Sequence, residues 1–378
     1  MKRVLILGGG FGGIATARRL KEKLDAKDEV ILVDRRDHFM VGFRKTWALV
    51  GESTLEAGQR PLDSLTGLGI RVMRDPVTGI DLGGRAATMG DQIISADALV
   101  VALGAELATD AIPGFQQYAY NVYDPQDIPR AAQALQEFQG GKLVIGIFGA
   151  PYKCPPAPYE MALLINDALR ARGLKPNMEV FSPQPMSLPI LGQVGCDLIE
   201  SRLADKGIAF FPNHKATAIE AGEVIFPSER RPFDLLLGVP PHRPPKVVRE
   251  SGLVGESGWV SVNSRTLETQ FPGVYAIGDV VQVGMANGKP LPKAGVFAEA
   301  MGETVAERIT ATFAGQEPEA TFKGEGGCYL EVGAGQAMMV KGQFLAEPEP
   351  EVILTEASPK YLEEKRSFET QRLQTWFG

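Results

Sequence analysis

Hydrophobic and polar positions follow two alternating periods from the first residues onward. Val4-Leu5-Ile6-Leu7 is a continuous apolar run, which predicts a short strand buried on both faces. Gly8-Gly9-Gly10-Phe11-Gly12-Gly13 follows it. Ile14–Leu24 then has helical spacing with a basic outer face, and Val30–Asp34 is a second strand. This is a βαβ opening. Residues 35–65 scatter Phe39, Phe43 and Trp47 among charges, and predict irregular structure. Ile70–Met73 and Gln92–Ile94 read as strands around an Asp81–Arg85 turn. Ala98–Leu103 reads as an interior strand closed by Gly104.

The same pattern then begins again. A helix over Ile128–Phe138 stops at Gly140-Gly141, and Leu143–Phe148 opens a second unit of strand, turn, helix (Tyr159–Arg172) and strand (Glu179–Phe181). A helix over Gly195–Lys206, the strand Ile208–Phe211 and an Asp-led strand at Asp234–Gly238 complete it. Val274–Ile277 is a short strand ending at Gly278-Asp279. A helix over Val296–Phe313, a β-rich stretch from Gly327 to Leu354 and a last helix over Ser358–Phe377 close the chain. The prediction is an α/β fold of two Rossmann-like dinucleotide-binding domains, one inserted in the other, with a C-terminal β-rich and helical segment. Residues 1–110 and 245–315 form the first domain, 111–244 the second, and 316–378 the terminal segment.

Composition narrows this picture. A net charge of -7 supplies no basic stripe for nucleic acid. No apolar stretch is long enough to span a membrane. The first apolar run ends at Gly8, too soon for an export signal, so the expected location is cytoplasmic, with peripheral contact at the inner face of the membrane as the most a membrane could offer. The chain has 3 cysteines, and in that compartment a redox role is a sharper reading than a structural disulfide. The 3 histidines have no metal-ligand spacing; surface or turn positions are expected for His38, His214 and His242, and no metal site is expected.

Gly8, Gly10 and Gly13 make a GxGxxG pattern between strand and helix. The first permits the tight turn, the second lets a pyrophosphate approach the backbone, and the third allows helix and strand to pack. Asp34 stands at the end of the next strand, where a carboxylate can accept ribose hydroxyls. Pro272-Gly273-Val274-Tyr275-Ala276-Ile277-Gly278-Asp279 resembles the second FAD motif of the pyridine-nucleotide-disulfide oxidoreductase superfamily, whose Asp binds the ribityl chain that NAD lacks. The Asp97–Gly104 strand is similar to that superfamily's linking segment. The resemblance implies FAD, held by Gly8, Gly10, Gly13, Asp34, Gly104, Gly278 and Asp279. The turn of the second unit differs: Pro151, Pro155, Pro156 and Pro158 remove amides that would wrap a second pyrophosphate, which argues against efficient nicotinamide binding.

Cys154-Pro155-Pro156-Ala157-Pro158-Tyr159-Glu160, Leu291-Pro292-Lys293-Ala294-Gly295-Val296-Phe297-Ala298-Glu299 and Cys328-Tyr329 together resemble the sulfide:quinone oxidoreductases and the flavoprotein subunits of flavocytochrome c sulfide dehydrogenases. The likeness covers essentially the whole chain. It implies a redox pair, Cys154 and Cys328, cycling through disulfide, persulfide and thiolate states beside the flavin. Its substrate would be sulfide or a small persulfide, and its acceptor a quinone or a c-type cytochrome. Lys293 is the candidate cation for the flavin's pyrimidine end. Glu160 is a candidate proton acceptor, with a structural role equally open. Cys196 matches no family cysteine and reads as core.

Two departures bear on the subtype. Residues 111–141 lack the third cysteine of many quinone-reducing members. His38-Phe39-Met40-Val41-Gly42-Phe43 has no cysteine where some cytochrome-linked members attach flavin, so FAD is expected to be non-covalent. Tyr361, Leu362, Phe368, Leu373, Trp376 and Phe377 give the last helix a sparse apolar face, better suited to packing on its own protein or in a homodimer than to a membrane interface. An NAD(P)H:acceptor reductase of the same superfamily and a redox-sensing FAD scaffold remain as alternatives.

Overall fold

The computed structural model describes residues 1–378. Two five-stranded parallel sheets organise it. In the first, the strands lie in the order Val274–Ala276, Ala98–Val101, Arg3–Leu7, Glu29–Val33, Arg71–Met73. Leu5 aligns with Ile31 on one side and Leu99 on the other. Val4–Leu7, Val30–Val33 and Leu99–Val101 are all at most 1% exposed, so these strands have no polar face and read as unbroken apolar runs. Each such side chain contributes about 1.5–3 kcal/mol by leaving water.

The second sheet repeats the design, with the order Tyr120–Asn121, Leu235–Val239, Lys142–Ile147, Asn177–Phe181, Ile208–Phe211. It lies in the chain between Ala98–Val101 and Val274–Ala276, which are paired neighbours in the first sheet. One Rossmann-like unit therefore interrupts the other. A three-stranded antiparallel sheet, Glu325–Gly333, Gln336–Gln343 and Glu351–Leu354, follows near the C-terminus. Leu330, Val332 and Met338 enter the core of the second unit, whereas Val340, Phe344 and Leu345 enter that of the first. This sheet fastens the two units together.

The boundaries depart from expectation in informative places. The first helix is Phe11–Lys23, and so begins within the glycine loop. Gly12 and Gly13 are already helical, which points the first-turn amides at whatever the loop binds. The stretch 35–65 is more ordered than its pattern suggests: Arg44–Leu49 is a helix with Lys45, Thr46 and Trp47 buried. The helix expected from Gly195 starts at Gly192. The last helix is Pro359–Phe377, and the Ser358 hydroxyl accepts the Lys360 amide at 3.2 Å as its cap. Leu362, Lys365, Glu369, Leu373 and Trp376 line its buried face, and Trp376 meets Phe11 and Phe39 edge-on at 5.4 and 5.3 Å. The helix packs on its own protein. No helix is long and apolar enough to cross a membrane.

Candidate active site

The three motif glycines meet three different constraints. A Cβ on Gly8, whose φ is +110°, would sit 2.2 Å from the Ala102 carbonyl oxygen, and one on Gly13 would sit 1.8 Å from that of Gly8. Those two positions exclude any side chain. A Cβ on Gly10 would meet nothing within 4 Å, so this glycine borders open space, as a cradle for a ligand must. Gly10 caps the helix without a side chain, and the amides ahead of Ile14 have no intrahelical acceptor. Asp34, only 7% exposed, accepts the Gly9 amide at 2.6 Å and pairs with Arg36 at 2.7 Å. Burial opposes its ionisation, yet the Arg36 guanidinium and the Arg36 and Gly9 amides hold its carboxyl below the usual range. The free amides, the bare Gly10 and the ionised Asp34 fit a dinucleotide.

A second helix start faces the same region. Gly295–Phe313 begins at Ala294, again with no side-chain cap, and a small pocket there is lined by Gly278, Asp279, Lys293 and Ala294. Gly104 and Gly278 both hold left-handed backbone, with φ of +67° and +75°. Lys293 is buried. Its Nζ donates to the Asp279 and Val281 carbonyls at 2.7 and 2.9 Å and lies 3.5 Å from the centre of the Trp259 ring. Burial lowers its pKa to about 8, with Asp279 opposing. In this arrangement the ammonium is fastened to the Asp279 segment.

The Lys293 backbone joins this pocket to the cysteine turn, because the Cys154 amide donates to the Lys293 carbonyl at 2.8 Å. Cys154 has φ of +51°, a conformation that side chains rarely adopt, and its carbonyl accepts the Tyr123 hydroxyl at 3.1 Å. Cys328 arrives from the antiparallel sheet with a free thiol directed to the Tyr329 carbonyl at 3.6 Å, close enough to the free thiol of Cys154 for each to alter the other's ionisation. The neighbouring Cys328 holds the Cys154 thiol below its ordinary value despite burial, and Cys154, with burial, pushes the Cys328 thiol well above. Cys196 is fully buried elsewhere, its thiol directed to the Leu188 carbonyl at 3.1 Å.

Several residues of this region carry no sequence signal of their own. Lys45 is 9% exposed, and burial together with Lys153 brings it down to about 8. Lys153, next to Cys154, is lowered by burial as well. The adjacency of Lys153 to Cys154, and the place of Lys45 between Phe43 and Trp47, are the only hints the sequence offers. His242 corrects an expectation: it is buried, not at a surface turn, and burial and Lys153 drive it to about 3. Its imidazole is therefore neutral, with Nδ1 donating to the Pro240 carbonyl at 2.9 Å.

Glu160 sits one turn into the helix Ala157–Ala171 and is 2% exposed. It accepts the Glu331 amide and the Lys365 ammonium, each at 2.8 Å. Lys365 also reaches Glu331 at 2.8 Å, and Glu331 accepts the Trp47 indole N–H at 2.5 Å. Burial raises Glu160, with Lys365 opposing. Burial works against the Lys365 charge, but Glu160 and Glu331 hold it above its ordinary value.

A model of the pyridine nucleotide-disulphide oxidoreductase family matches residues 2–302. The chain belongs to that family. Within it, the chain is similar to the mitochondrial sulfide:quinone oxidoreductase of Mus musculus, at 25% identity over 91% of this chain and 79% of the relative. The sulfide-quinone reductase of Aquifex aeolicus is also 25% identical, over 82% and 76% of the two chains. The solved structure of the sulfide:quinone oxidoreductase from that bacterium superposes with a TM-score of 0.89 at 24% identity, covering 100% of this chain and 92% of its own. Members of the family are flavoprotein oxidoreductases, generally holding FAD, and the loop and helix starts described above suit that cofactor.

Proposed function

We propose that this chain oxidises sulfide through the Cys154–Cys328 pair and passes the electrons, by way of non-covalently bound FAD, to a quinone. One observation carries the reading. Two thiols far apart in the chain lie near enough to alter each other's ionisation, and Cys154 sits on a turn hydrogen-bonded to Lys293 in the segment that follows Asp279. The sulfide:quinone relatives, matched over most of both chains, support the substrate and the acceptor. Residues 1–110 and 245–315 hold the FAD, 111–244 present Cys154, and 316–378 supply Cys328.

In the oxidised pair, hydrosulfide is drawn in by Lys45 and Lys153 and attacks the Cys328 sulfur. One sulfur–sulfur bond forms and the Cys154–Cys328 bond breaks. Cys154 leaves as the thiolate, because the thiol of lower pKa is the better leaving group. The outer persulfide sulfur then bonds to the Cys154 sulfur and releases two electrons. FAD, when bound, would supply their acceptor, and a quinone takes them with two protons, one from hydrosulfide and one from solvent. The substrate sulfur stays on the cysteines at the oxidation level of elemental sulfur. The prolines of the second turn, and Gly149 packed so that a Cβ would meet Pro241 at 2.9 Å, leave little room for a nicotinamide pyrophosphate there.

Anaerobic titration of the holoenzyme with sulfide, followed by flavin absorbance, tests this. Sulfide bleaches the wild-type flavin, and Cys154→Ser or Cys328→Ser slows bleaching by about 10³-fold or more. Unchanged bleaching in both variants sinks the cysteine assignment. Stoichiometric bleaching by NADH with sulfide inert replaces the reading with an NAD(P)H:acceptor reductase. Turnover with cytochrome c and none with a quinone replaces the acceptor alone.

A further inference from the structure

The glycine loop that suits a dinucleotide carries a single side chain. Between Gly8 and Gly13 that residue is Phe11, so side-chain packing can anchor the loop only through its ring. Phe11 meets Phe39 at 5.2 Å and Trp376 at 5.4 Å between ring centres, and Phe39 meets Trp376 at 5.3 Å, all three edge-on. Each ring comes from a different element: the loop itself, the segment after Asp34, and the last turn of the C-terminal helix. Phe377 of that turn also stacks on Phe39, at 5.9 Å. The Arg18 guanidinium donates to the Trp376 carbonyl at 2.9 Å, which ties the turn to the helix that follows the loop. Phe11 also closes on Gly295, where a Cβ would lie 2.9 Å from the ring, so the same side chain touches the second helix start.

We propose that Trp376, through Phe11 and Phe39, positions the glycine loop for FAD, so that docking of the C-terminal turn and binding of the cofactor strengthen each other. The inference rests on the FAD assignment and not on the sulfide chemistry. Glycine backbone has more conformational freedom to lose than any other, and 5 of the 6 residues from Gly8 to Gly13 are glycine. Such a loop keeps its binding shape only where packing holds it, and edge-on aromatic pairs hold it in a defined geometry. The linkage is reciprocal: the factor by which the docked turn tightens FAD is the factor by which FAD tightens the turn. The helix carries the effect further. Arg372 pairs with Glu299, on the helix that starts at Gly295, and Lys365 pairs with Glu331, on the strand of Cys328, each at 2.8 Å. One helix therefore ties both helix starts to the Cys328 strand. Trp376 acts through Phe11, as a positioning residue.

The experiment follows FAD release from the diluted holoenzyme, read as the rise in flavin fluorescence when the cofactor leaves the protein. Trp376→Leu keeps apolar bulk but removes both edge contacts, and release accelerates about tenfold. Trp376→Phe keeps a ring, and its release stays within about threefold of the wild type. Arg18→Gln loosens the turn without touching the rings and gives a rate between the two. Leu135→Ala, in the helix Ile128–Glu137 of the second unit, controls for general destabilisation: it lowers the melting midpoint and leaves release unchanged. If Trp376→Leu does not fold, Arg18→Gln decides alone. Release at the wild-type rate in the folded variants of Trp376 and Arg18, or equal acceleration by Leu135→Ala, overturns the proposal and leaves the FAD assignment standing. A protein that takes up no FAD ends both. Sulfide that fails to bleach the flavin would end the sulfide reading without touching this one.

Discussion

The two Rossmann-like units share the order of four of their five strands and differ in the turn after the central strand, Arg3–Leu7 in one and Lys142–Ile147 in the other. In the first unit, Leu7 leads into a loop of bare backbone whose helix starts with unused amides. In the second, Ile147 leads into Gly149–Pro156, and the helix begins at Ala157 with Pro158 in its first turn. One turn offers main-chain donors to an anion. The other has fewer donors and holds a cysteine at positive φ, with Lys365, Lys45 and Lys153 as nearby cations. The lesson is that a scaffold can be duplicated while its binding position is rebuilt. Amides fixed in a helix start suit a large, permanent phosphate group, whereas side-chain ammonium groups around a thiol suit a small anion that must enter and leave.

The strongest way to break the comparison is to fill the first turn. Gly13→Val places side-chain atoms where a Cβ alone already lies 1.8 Å from the Gly8 carbonyl, so the purified protein loses its flavin absorbance almost completely. Retention of stoichiometric flavin would show that this loop does not hold the cofactor. Lys45→Met tests the other turn. The second-order rate constant for bleaching by hydrosulfide falls about tenfold, equivalent to roughly 1–2 kcal/mol of ion attraction at an effective dielectric near 20. The pH dependence has a definite sign. Lys45 is charged below about pH 8, so its contribution is present there and fades as pH rises through that value; the variant's rate constant for hydrosulfide lacks this decline. A wild-type profile in the variant excludes Lys45 from anion capture. Pro158→Ala has the smallest effect. It restores one amide to the second helix start and costs under about 1 kcal/mol in denaturant melts. NADH still fails to bleach the flavin, because Gly149 remains packed on Pro241. Rapid reduction by NADH in this variant would mean that missing amides alone separate the two turns.

The legibility of the site follows the range of the forces that build it. Gly8, Gly10, Gly13 and Asp34 are readable because backbone sterics and strand–helix spacing act over a few residues. The run Val4–Leu7 is readable for the same reason. The start of the first helix at Phe11 was not, since glycines weaken the helical pattern while serving its N-terminus. The helix Arg44–Leu49 was hidden because its buried residues include Lys45 and Thr46, which pattern reading assigns to a surface. His242 misled in the same way: a polar residue after Pro240-Pro241 looks like a turn, and only packing shows it enclosed.

By itself, then, the amino-acid order determined the two dinucleotide units, the glycine loop with its acid, and, by likeness to relatives, the two cysteines worth pairing. Tertiary structure alone decided that Cys328 faces Cys154, that Lys45 and Lys153 lie near that thiol, and that Lys365 links Glu160 to Glu331. The physical reason is locality. Backbone conformation answers to neighbours in the chain, whereas the energy of a buried charge depends on whichever group packing brings within hydrogen-bond reach, however many residues lie between.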